Sequence, residues 1–174
     1  MSGRLASVSR ADERLLRAVL TRRRPLLDRL VRRLTRLGNA EVILPATLLL
    51  FFLGDGGRFE AAATVAFVSL IASHAVVQAI KRSVRRERPR LPVGLGFLIV
   101  PEDRFSLPSG HATAGLSVAL PCALALGGLA GALLLTLGLA VGLSRCYLGV
   151  HYPSDVLAGW SLAALTVALV TTLA

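Results

Sequence analysis

The chain has 174 residues, of which 54% are hydrophobic and 17% are charged, and its mean hydropathy is +0.66. These values exclude an average soluble globular domain and a disordered chain, and they favour a membrane protein of one domain. The formal net charge is +10, and Lys81 is the one lysine among twenty basic residues. Two cysteines are too few for a disulfide framework, and we expect both to be reduced.

The first 38 residues are basic and amphipathic, and they contain eleven arginines. Ser9 followed by Asp12 predicts the start of a first helix, and Pro25 predicts the first residue of a second. This segment is too charged to span a membrane, so we expect it to lie on an anionic membrane surface. The alternative is a helix that packs on the protein's own face. Nucleic-acid binding is disfavoured because no aromatic residues alternate with the arginines, and no signal peptide is predicted.

Five hydrophobic segments follow this basic region. They are residues 39–54, residues 61–80, two segments within the uncharged stretch 105–144 that divide near residues 127–131, and residues 156–174. Twenty apolar residues suffice for a span at about 1.5 Å per residue. The predicted fold is an all-α membrane protein. It is a bundle of about five transmembrane helices in residues 39–174, preceded by an amphipathic basic helical segment in residues 1–38.

Five spans would bring three polar clusters to one side of the membrane. The clusters are residues 81–89, residues 108–111 and residues 144–155. Together they supply Lys81, Arg88 and Arg145, which suit a doubly charged phosphate. A guanidinium group offers two donors to two oxygens, whereas an ammonium group offers a point charge.

The same clusters contain two histidines. His111 follows Ser109 and Gly110 just before an apolar run, so these residues should lie at a helix N-terminus, whose N–H groups favour an anion. His151 and Asp155 are four residues apart, so the carboxylate can orient the imidazole as a nucleophile. His111 can then protonate the leaving oxygen. The pattern predicts a phosphoryl-transfer site that needs no metal or other cofactor.

Other polar residues near the clusters are interpreted as structural. Arg82, Arg85, Arg86 and Arg90 are predicted to be juxtamembrane positive charges. His74 is predicted to be a buried hydrogen-bonding residue in the middle of a span. A zinc site formed by His111, His151 and Asp155 is disfavoured, because the neighbouring cations would repel a metal ion.

The clusters resemble the pattern of the type 2 phosphatidic acid phosphatases, integral-membrane lipid phosphate phosphatases whose site is shared with vanadium haloperoxidases. Lys81 and Arg88, with the proline that follows, match K-x6-R-P. Residues 108–111 match P-S-G-H, and residues 144–155 match S-R-x5-H-x3-D. The resemblance covers residues 39–174.

This resemblance implies a role for each matched residue. His151 would be the nucleophile that forms a phosphohistidine, Asp155 would orient it, and His111 would be the general acid and then the base. The phosphate would be bound by Lys81, Arg88, Ser109, Gly110 and Arg145.

The expected partners are the bilayer, with its anionic lipids, and a lipid phosphate substrate. Phosphatidate, phosphatidylglycerol phosphate, a polyprenyl diphosphate and a phosphorylated prenyl-linked sugar all fit. The short connection after Arg88 carries Glu102 and Asp103 and could cover the lipid chain. Alternatives to a phosphatase are a phosphotransferase that uses the same phosphohistidine, a vanadate-dependent haloperoxidase and a non-enzymatic membrane protein.

Many bacterial members of the family have six spans and a site that faces the cell exterior. Here, after the three phosphate-binding cations are set aside, sixteen arginines fall on the side of the site and only Arg58 falls on the other. Positive residues favour the cytoplasmic side of a membrane. The sequence therefore predicts a multi-pass protein of the cell membrane with a cytoplasmic-facing site, and it predicts no oligomeric state.

Overall fold

The computed structural model describes residues 2–52 and 57–173, and its secondary structure is helical apart from one bridge between Glu87 and Phe105. A 3₁₀ turn, Arg36–Gly38, joins the second and third helices. The described residues form seven α-helices: α1 (Ser2–Leu20), α2 (Pro25–Thr35), α3 (Ala40–Phe52), α4 (Arg58–Val84), α5 (Gly110–Leu126), α6 (Gly128–Tyr147) and α7 (Pro153–Leu173).

Helix boundaries follow the local sequence in most places. Pro25 is the first residue of α2, as predicted, because its fixed φ suits a helix start and it lacks an N–H that would need a partner. Gly127 separates α5 from α6 with a φ of 65°, a conformation that favours glycine. The predicted start at Ser9 is wrong, since α1 continues through it. Asp12 does not cap that helix but is buried.

The number of spans is smaller than about five when length and hydropathy are both required. Within the described residues, α4, α6 and α7 are long and apolar enough to cross a membrane. The segment from α2 through α3 adds a fourth if its 55° bend is accepted within one span. Helix α5 has 17 residues and α3 has 13, which is short of the roughly 20 that a 30 Å hydrocarbon core requires. The count of about five is therefore not confirmed.

Helix α5 lies at the centre of the bundle and contacts α4, α6 and α7. Small residues allow these helices to approach closely. A Cβ atom on Gly138 would lie 2.9 Å from the carbonyl oxygen of Gly115, and one on Gly159 would lie 2.7 Å from that of Ser109. Lipid provides no hydrophobic drive between helices, so close packing of this kind stabilises the bundle. It also fixes the N-terminus of α5 beside α7.

The basic N-terminal segment packs on the protein rather than standing apart from it. Leu16 and Leu20 of α1 are buried in a cluster that includes Val156 of α7, and Val31 of α2 packs against Leu148 and Val150. From residue 10 to residue 38, every arginine except Arg23 is exposed. The segment therefore packs part of its apolar surface on the bundle, whereas its arginines and several leucines, among them Leu26 and Leu30, are exposed.

Candidate active site

Four helix ends meet where the three polar clusters were predicted to converge. Lys81 lies near the C-terminal end of α4, His111 at the N-terminal end of α5 and Arg145 near the C-terminal end of α6. His151 lies on the turn between α6 and α7, and Asp155 in the first turn of α7. All five are buried. The structure thus brings together residues that are up to 74 positions apart in the sequence.

His151 has its two ring nitrogens in different surroundings. Nδ1 lies 3.5 Å from Oδ2 of Asp155, and Nε2 lies 3.3 Å from a guanidinium nitrogen of Arg88. Burial lowers the pKa of His151 to about 4; the Asp155 carboxylate opposes this, and the charges of Arg88 and Arg145 add to it. The imidazole is therefore neutral near pH 7, which leaves a nitrogen lone pair available at the cationic side of the site.

Asp155 is fully buried, and donors from other residues hold its carboxylate in place. Its Oδ2 accepts a hydrogen bond from the Tyr152 backbone N–H at 2.8 Å, and its Oδ1 accepts one from Arg86 at 2.8 Å. The carboxylate is thus fixed on the side of the imidazole away from Arg88. This is the orientation that the four-residue spacing predicted.

Arg86 corrects an interpretation made from the sequence, because it is not merely a juxtamembrane charge. Its guanidinium group lies between Asp155 and Asp12, 2.7 Å from the latter, and stacks on the ring of Tyr152 at 4.2 Å. Burial alone would lower the pKa of Arg86, but the two carboxylates raise it. Asp12 also accepts the backbone N–H of Ser154 at 2.9 Å, so α1 is fastened to the start of α7.

His111 contacts a residue that sequence reasoning missed. Its Nε2 lies 2.9 Å from Oδ1 of Asn39, the residue between the 3₁₀ turn and α3. A Cβ atom on Gly38 would lie only 2.8 Å from the imidazole ring, so glycine allows this turn to approach the histidine. Nδ1 lies 3.4 Å from Oε2 of Glu102. Both neighbours are acceptors, so Asn39 favours a proton on Nε2 and the Glu102 carboxylate favours a proton on Nδ1.

Arg145 is fully buried and is held from two sides. One terminal nitrogen donates to the Thr35 hydroxyl at 2.9 Å, and the other pairs with Glu102 at 3.0 Å. Thr35 is a second residue that the sequence did not reveal. Both it and Asn39 belong to the junction between α2 and α3, and no motif signals a role at either position.

Lys81 and Arg88 share one carboxylate. Asp103 accepts from Nζ of Lys81 at 2.5 Å and from Arg88 at 3.0 Å, while its backbone oxygen accepts from Nε of Arg88 at 2.8 Å. Burial would raise the pKa of Asp103, but its hydrogen bonds and the two positive charges hold that pKa below its ordinary value. The carboxylate is thus ionised and neutralises part of the cationic surface.

Ser109 and Gly110 occupy different positions relative to the site. The Ser109 hydroxyl caps α5 by accepting the backbone N–H of Ala112 at 3.4 Å, and the Ser109 N–H donates to the Asp155 carbonyl at 3.0 Å. A Cβ atom on Gly110 would meet nothing within 4 Å, so the space beside it is open. The backbone at Gly110 is thus accessible to a ligand, whereas the hydroxyl of Ser109 already has a partner.

A cavity of about 670 Å³ leads away from His111 and Lys81 between α3, α4 and α5. His74 lies on its wall, with Nε2 3.3 Å from the side-chain nitrogen of Gln78. The imidazole is exposed, so its predicted burial is wrong. The apolar part of the wall is formed by Ile43, Leu44, Leu70, Ile71, Ala75 and Val77.

The charged groups of the site are largely paired with one another. Within residues 2–52 and 57–173, no three His, Cys, Asp or Glu side chains are grouped so that they could hold one. The network contains four cations, two histidines and four carboxylates, and each carboxylate contacts at least one cation. Such a network is suited to a polyanionic ligand that exchanges with the carboxylates.

Comparisons with known proteins agree with this arrangement. Residues 62–174 match the PAP2 superfamily. Decaprenylphosphoryl-5-phosphoribose phosphatase of Mycolicibacterium smegmatis is 44% identical over 87 residues, which cover 50% of this chain and 46% of that protein. Its counterpart in Mycobacterium tuberculosis is 41% identical over 108 residues, or 58% of its length. The chain thus spans about half the length of these curated relatives.

Longer matches come from Bacillus subtilis. Phosphatidylglycerophosphatase B is 29% identical over 177 residues, which cover 94% of this chain and 83% of that protein. The crystal structure of a transmembrane PAP2 type phosphatidylglycerolphosphate phosphatase from the same organism superposes with a TM-score of 0.77 at 26% identity, covering 96% of this chain and 86% of that one. With its all-helical fold, its apolar helices and its three matched clusters, the chain is a membrane protein that belongs to the PAP2 superfamily.

Proposed function

We propose that the protein is a membrane phosphatase that hydrolyses the terminal phosphate of a lipid through a phosphohistidine at His151, without a metal ion. The observation that carries the proposal is the placement of this neutral, buried imidazole. One nitrogen lies beside Asp155, and the other lies 3.3 Å from Arg88; the positive charge of Arg145 also acts on the ring. Relatives that act on polyprenyl and phospholipid phosphates support the same reaction class.

In the first step, the lone pair on Nε2 of His151 forms a bond to phosphorus as the bond from phosphorus to the lipid oxygen breaks. Negative charge on the three remaining phosphate oxygens is stabilised by Lys81, Arg88 and Arg145. His111 acts here as the imidazolium: it transfers the proton on Nδ1 to the lipid oxygen and keeps the proton on Nε2 that faces Asn39. The product leaves as an alcohol or, from a diphosphate, as the lipid monophosphate.

In the second step, His111 removes a proton from water, and the resulting nucleophile attacks the phosphohistidine. The bond between phosphorus and Nε2 breaks, its electron pair returns to His151, and inorganic phosphate is released. Asp155 stabilises the positive charge that the His151 ring carries while it is phosphorylated. No other reactant is required.

The cavity between α3, α4 and α5 suits the lipid part of such a substrate. Its volume of about 670 Å³ lies within the range of about 300–1,000 Å³ that ligand pockets usually have. It begins at His111 and Lys81, where the phosphate would bind, and continues along apolar side chains of α3 and α4. His74 and Gln78 add polar groups to its wall, which favours a headgroup with hydroxyl or ester oxygens next to the phosphate. A glycerol phosphate or a prenyl-linked sugar phosphate meets this description.

Phosphate release by the detergent-purified protein in the presence of a chelator tests the proposal. The panel comprises phosphatidate, phosphatidylglycerol phosphate, a phosphorylated prenyl-linked sugar, a prenyl diphosphate and a soluble phosphomonoester. We expect chelator-resistant release from at least one lipid, which exceeds release from the soluble ester. A requirement for added metal, or release from none of the lipids, would contradict the proposal. Phosphate that appears on an added alcohol rather than on water would instead indicate a phosphotransferase.

Asn39 is expected to affect the proton-transfer steps more than substrate binding. In Asn39→Leu, Nε2 of His111 loses its acceptor and the ring can change its tautomer. We expect kcat to fall about 10- to 100-fold, because a positioned acid raises the rate by about 10² to 10⁴. KM should change less than about threefold, because Asn39 does not bind the phosphate. In Asn39→Asp the acceptor is kept, and its negative charge should move the kcat–pH profile toward higher pH. Asn39→Asp must retain more activity than Asn39→Leu. Equal losses, with an unchanged pH profile, would mean that Asn39 serves packing only.

We further propose that residues 1–38 form an interfacial segment on residues 39–174, and that the site faces the cytoplasm of the cell membrane. If α3 to α7 each cross the membrane, the C-terminus lies on the side opposite the site. Labelling with an impermeant maleimide checks this, because Cys122 and Cys146 are buried. Thr172→Cys should react in intact cells, whereas Arg33→Cys should react only after the cells are opened. The reverse pattern would overturn the orientation, and equal access would overturn the five-helix path.

A further inference from the structure

Two neighbouring carboxylates occupy all three cations that are proposed to bind phosphate. Asp103 contacts both Lys81 and Arg88, and Glu102 pairs with Arg145 at 3.0 Å. Their four oxygens present two negative charges where the oxygens of a phosphate would otherwise lie. A lipid phosphate can reach His151 only if it displaces them.

The cations and carboxylates differ in how firmly they are held. The cationic side chains are 7%, 8% and 0% exposed, whereas those of Asp103 and Glu102 are 38% and 51% exposed. Lys81 lies on α4, Arg88 lies just after that helix, and Arg145 lies on α6. Both carboxylates lie on the irregular connection before α5. The carboxylates can therefore move outward while the cations stay in place. Besides the ion pairs that the phosphate replaces, they lose the bond from the Phe105 N–H to Asp103 and the 3.4 Å contact between Glu102 and His111.

The displacement is an exchange of anions, and its free energy depends on the charge of the incoming group. A terminal phosphomonoester carries nearly two negative charges and three free oxygens, enough to replace both carboxylates. A phosphodiester headgroup carries one charge and two free oxygens. If it displaced both carboxylates, it would leave a buried cation without a partner, which is costly.

We infer that Glu102 and Asp103 determine specificity: they keep the site closed to the monoanionic phosphodiester headgroups of the surrounding bilayer and yield to a dianionic terminal phosphomonoester. This inference rests on the proposed function. Phosphodiester lipids far outnumber any lipid phosphomonoester in a membrane, so an uncovered cationic site would be filled by headgroups that it cannot hydrolyse. The carboxylates act on binding and take no part in the transfer of the phosphoryl group.

Inhibition by a phosphodiester lipid tests the inference. Hydrolysis of the best lipid phosphomonoester is measured in neutral detergent micelles with increasing mole fractions of phosphatidylglycerol, for wild type, Asp103→Asn and Glu102→Gln. Glu87→Gln is the matched control, because it removes the same charge from the same connection at a side chain that is 71% exposed and pairs with Arg90. We expect phosphatidylglycerol to inhibit Asp103→Asn at a mole fraction at least tenfold lower than wild type or Glu87→Gln.

The result distinguishes the inference from the proposed function. An unchanged ratio between the inhibition constant of phosphatidylglycerol and the KM of the substrate in both site variants would overturn the inference. So would a loss of hydrolysis in Asp103→Asn without stronger inhibition, which would make Asp103 an anchor for Lys81 and Arg88. Failure of the wild-type protein to hydrolyse any lipid phosphomonoester would instead overturn the proposed function.

Discussion

His151→Ala is expected to lower phosphate release by at least about 10³-fold, because removal of a nucleophile eliminates the covalent step that the rest of the site supports. The imidazole is almost fully buried, and its neutral form prevails at neutral pH because its pKa is lowered to about 4. No other side chain in the described site offers an unprotonated nitrogen beside Arg88. We also expect the variant to lose the acid-labile phosphate that wild type retains after rapid quenching with labelled substrate.

The measurement is the initial rate with a lipid phosphomonoester, together with protein-bound label after the quench. Arg104→Ala provides a control on the same face, since Arg104 is exposed and its charge lies over the ring of Phe105. It should keep its rate within about twofold. Label retained by His151→Ala, or a rate within tenfold of wild type, would show that another residue is the nucleophile.

Arg86→Leu is expected to destabilise the protein by about 3–5 kcal/mol and to abolish activity, because it leaves two buried carboxylates without their cation. Asp155 is 0% exposed and Asp12 is 4% exposed, so neither can recover its hydration without local unfolding. The freed Asp155 would also hold the His151 ring less firmly. Arg86→Lys should recover part of the stability, but a single ammonium group cannot reproduce both planar contacts.

Thermal unfolding in detergent measures this effect, with Arg90→Leu as the control. Arg90 is four residues away and its side chain is 90% exposed, so its loss should change stability by less than about 0.5 kcal/mol. Adding Asp12→Asn to Arg86→Leu should restore part of the lost stability, since one uncompensated charge is removed. Equal stability of Arg86→Leu and Arg90→Leu would contradict a structural role for the ion pairs.

Much of the site could be predicted because its residues lie in short motifs with fixed spacing. His151 and Asp155 are four positions apart, and the turn that leads into α7 places the carboxylate 3.5 Å from the ring. Hydropathy likewise located every apolar helix from α3 to α7. It did not fix their lengths, because Ser109 caps α5 and Gly127 ends it after only 17 residues.

The partners of those motif residues could not be predicted, since they depend on contacts between distant parts of the chain. Asn39 is 72 residues from His111, and Thr35 is 110 residues from Arg145. Arg86 has the same local surroundings in sequence as the exposed arginines beside it, and only its position opposite α1 and α7 separates it from them. His74 was misjudged because hydropathy does not reveal which face of α4 borders a cavity.

The bond between Asp12 and Ser154 joins positions that are 142 residues apart, nearly the whole length of the chain. During synthesis, α1 leaves the ribosome long before Ser154 has been added, so this link can form only late. Until then the Asp12 carboxylate lacks the Ser154 N–H, although Arg86 can already pair with it. The network around Arg86 is therefore completed only when the start of α7 docks against α1.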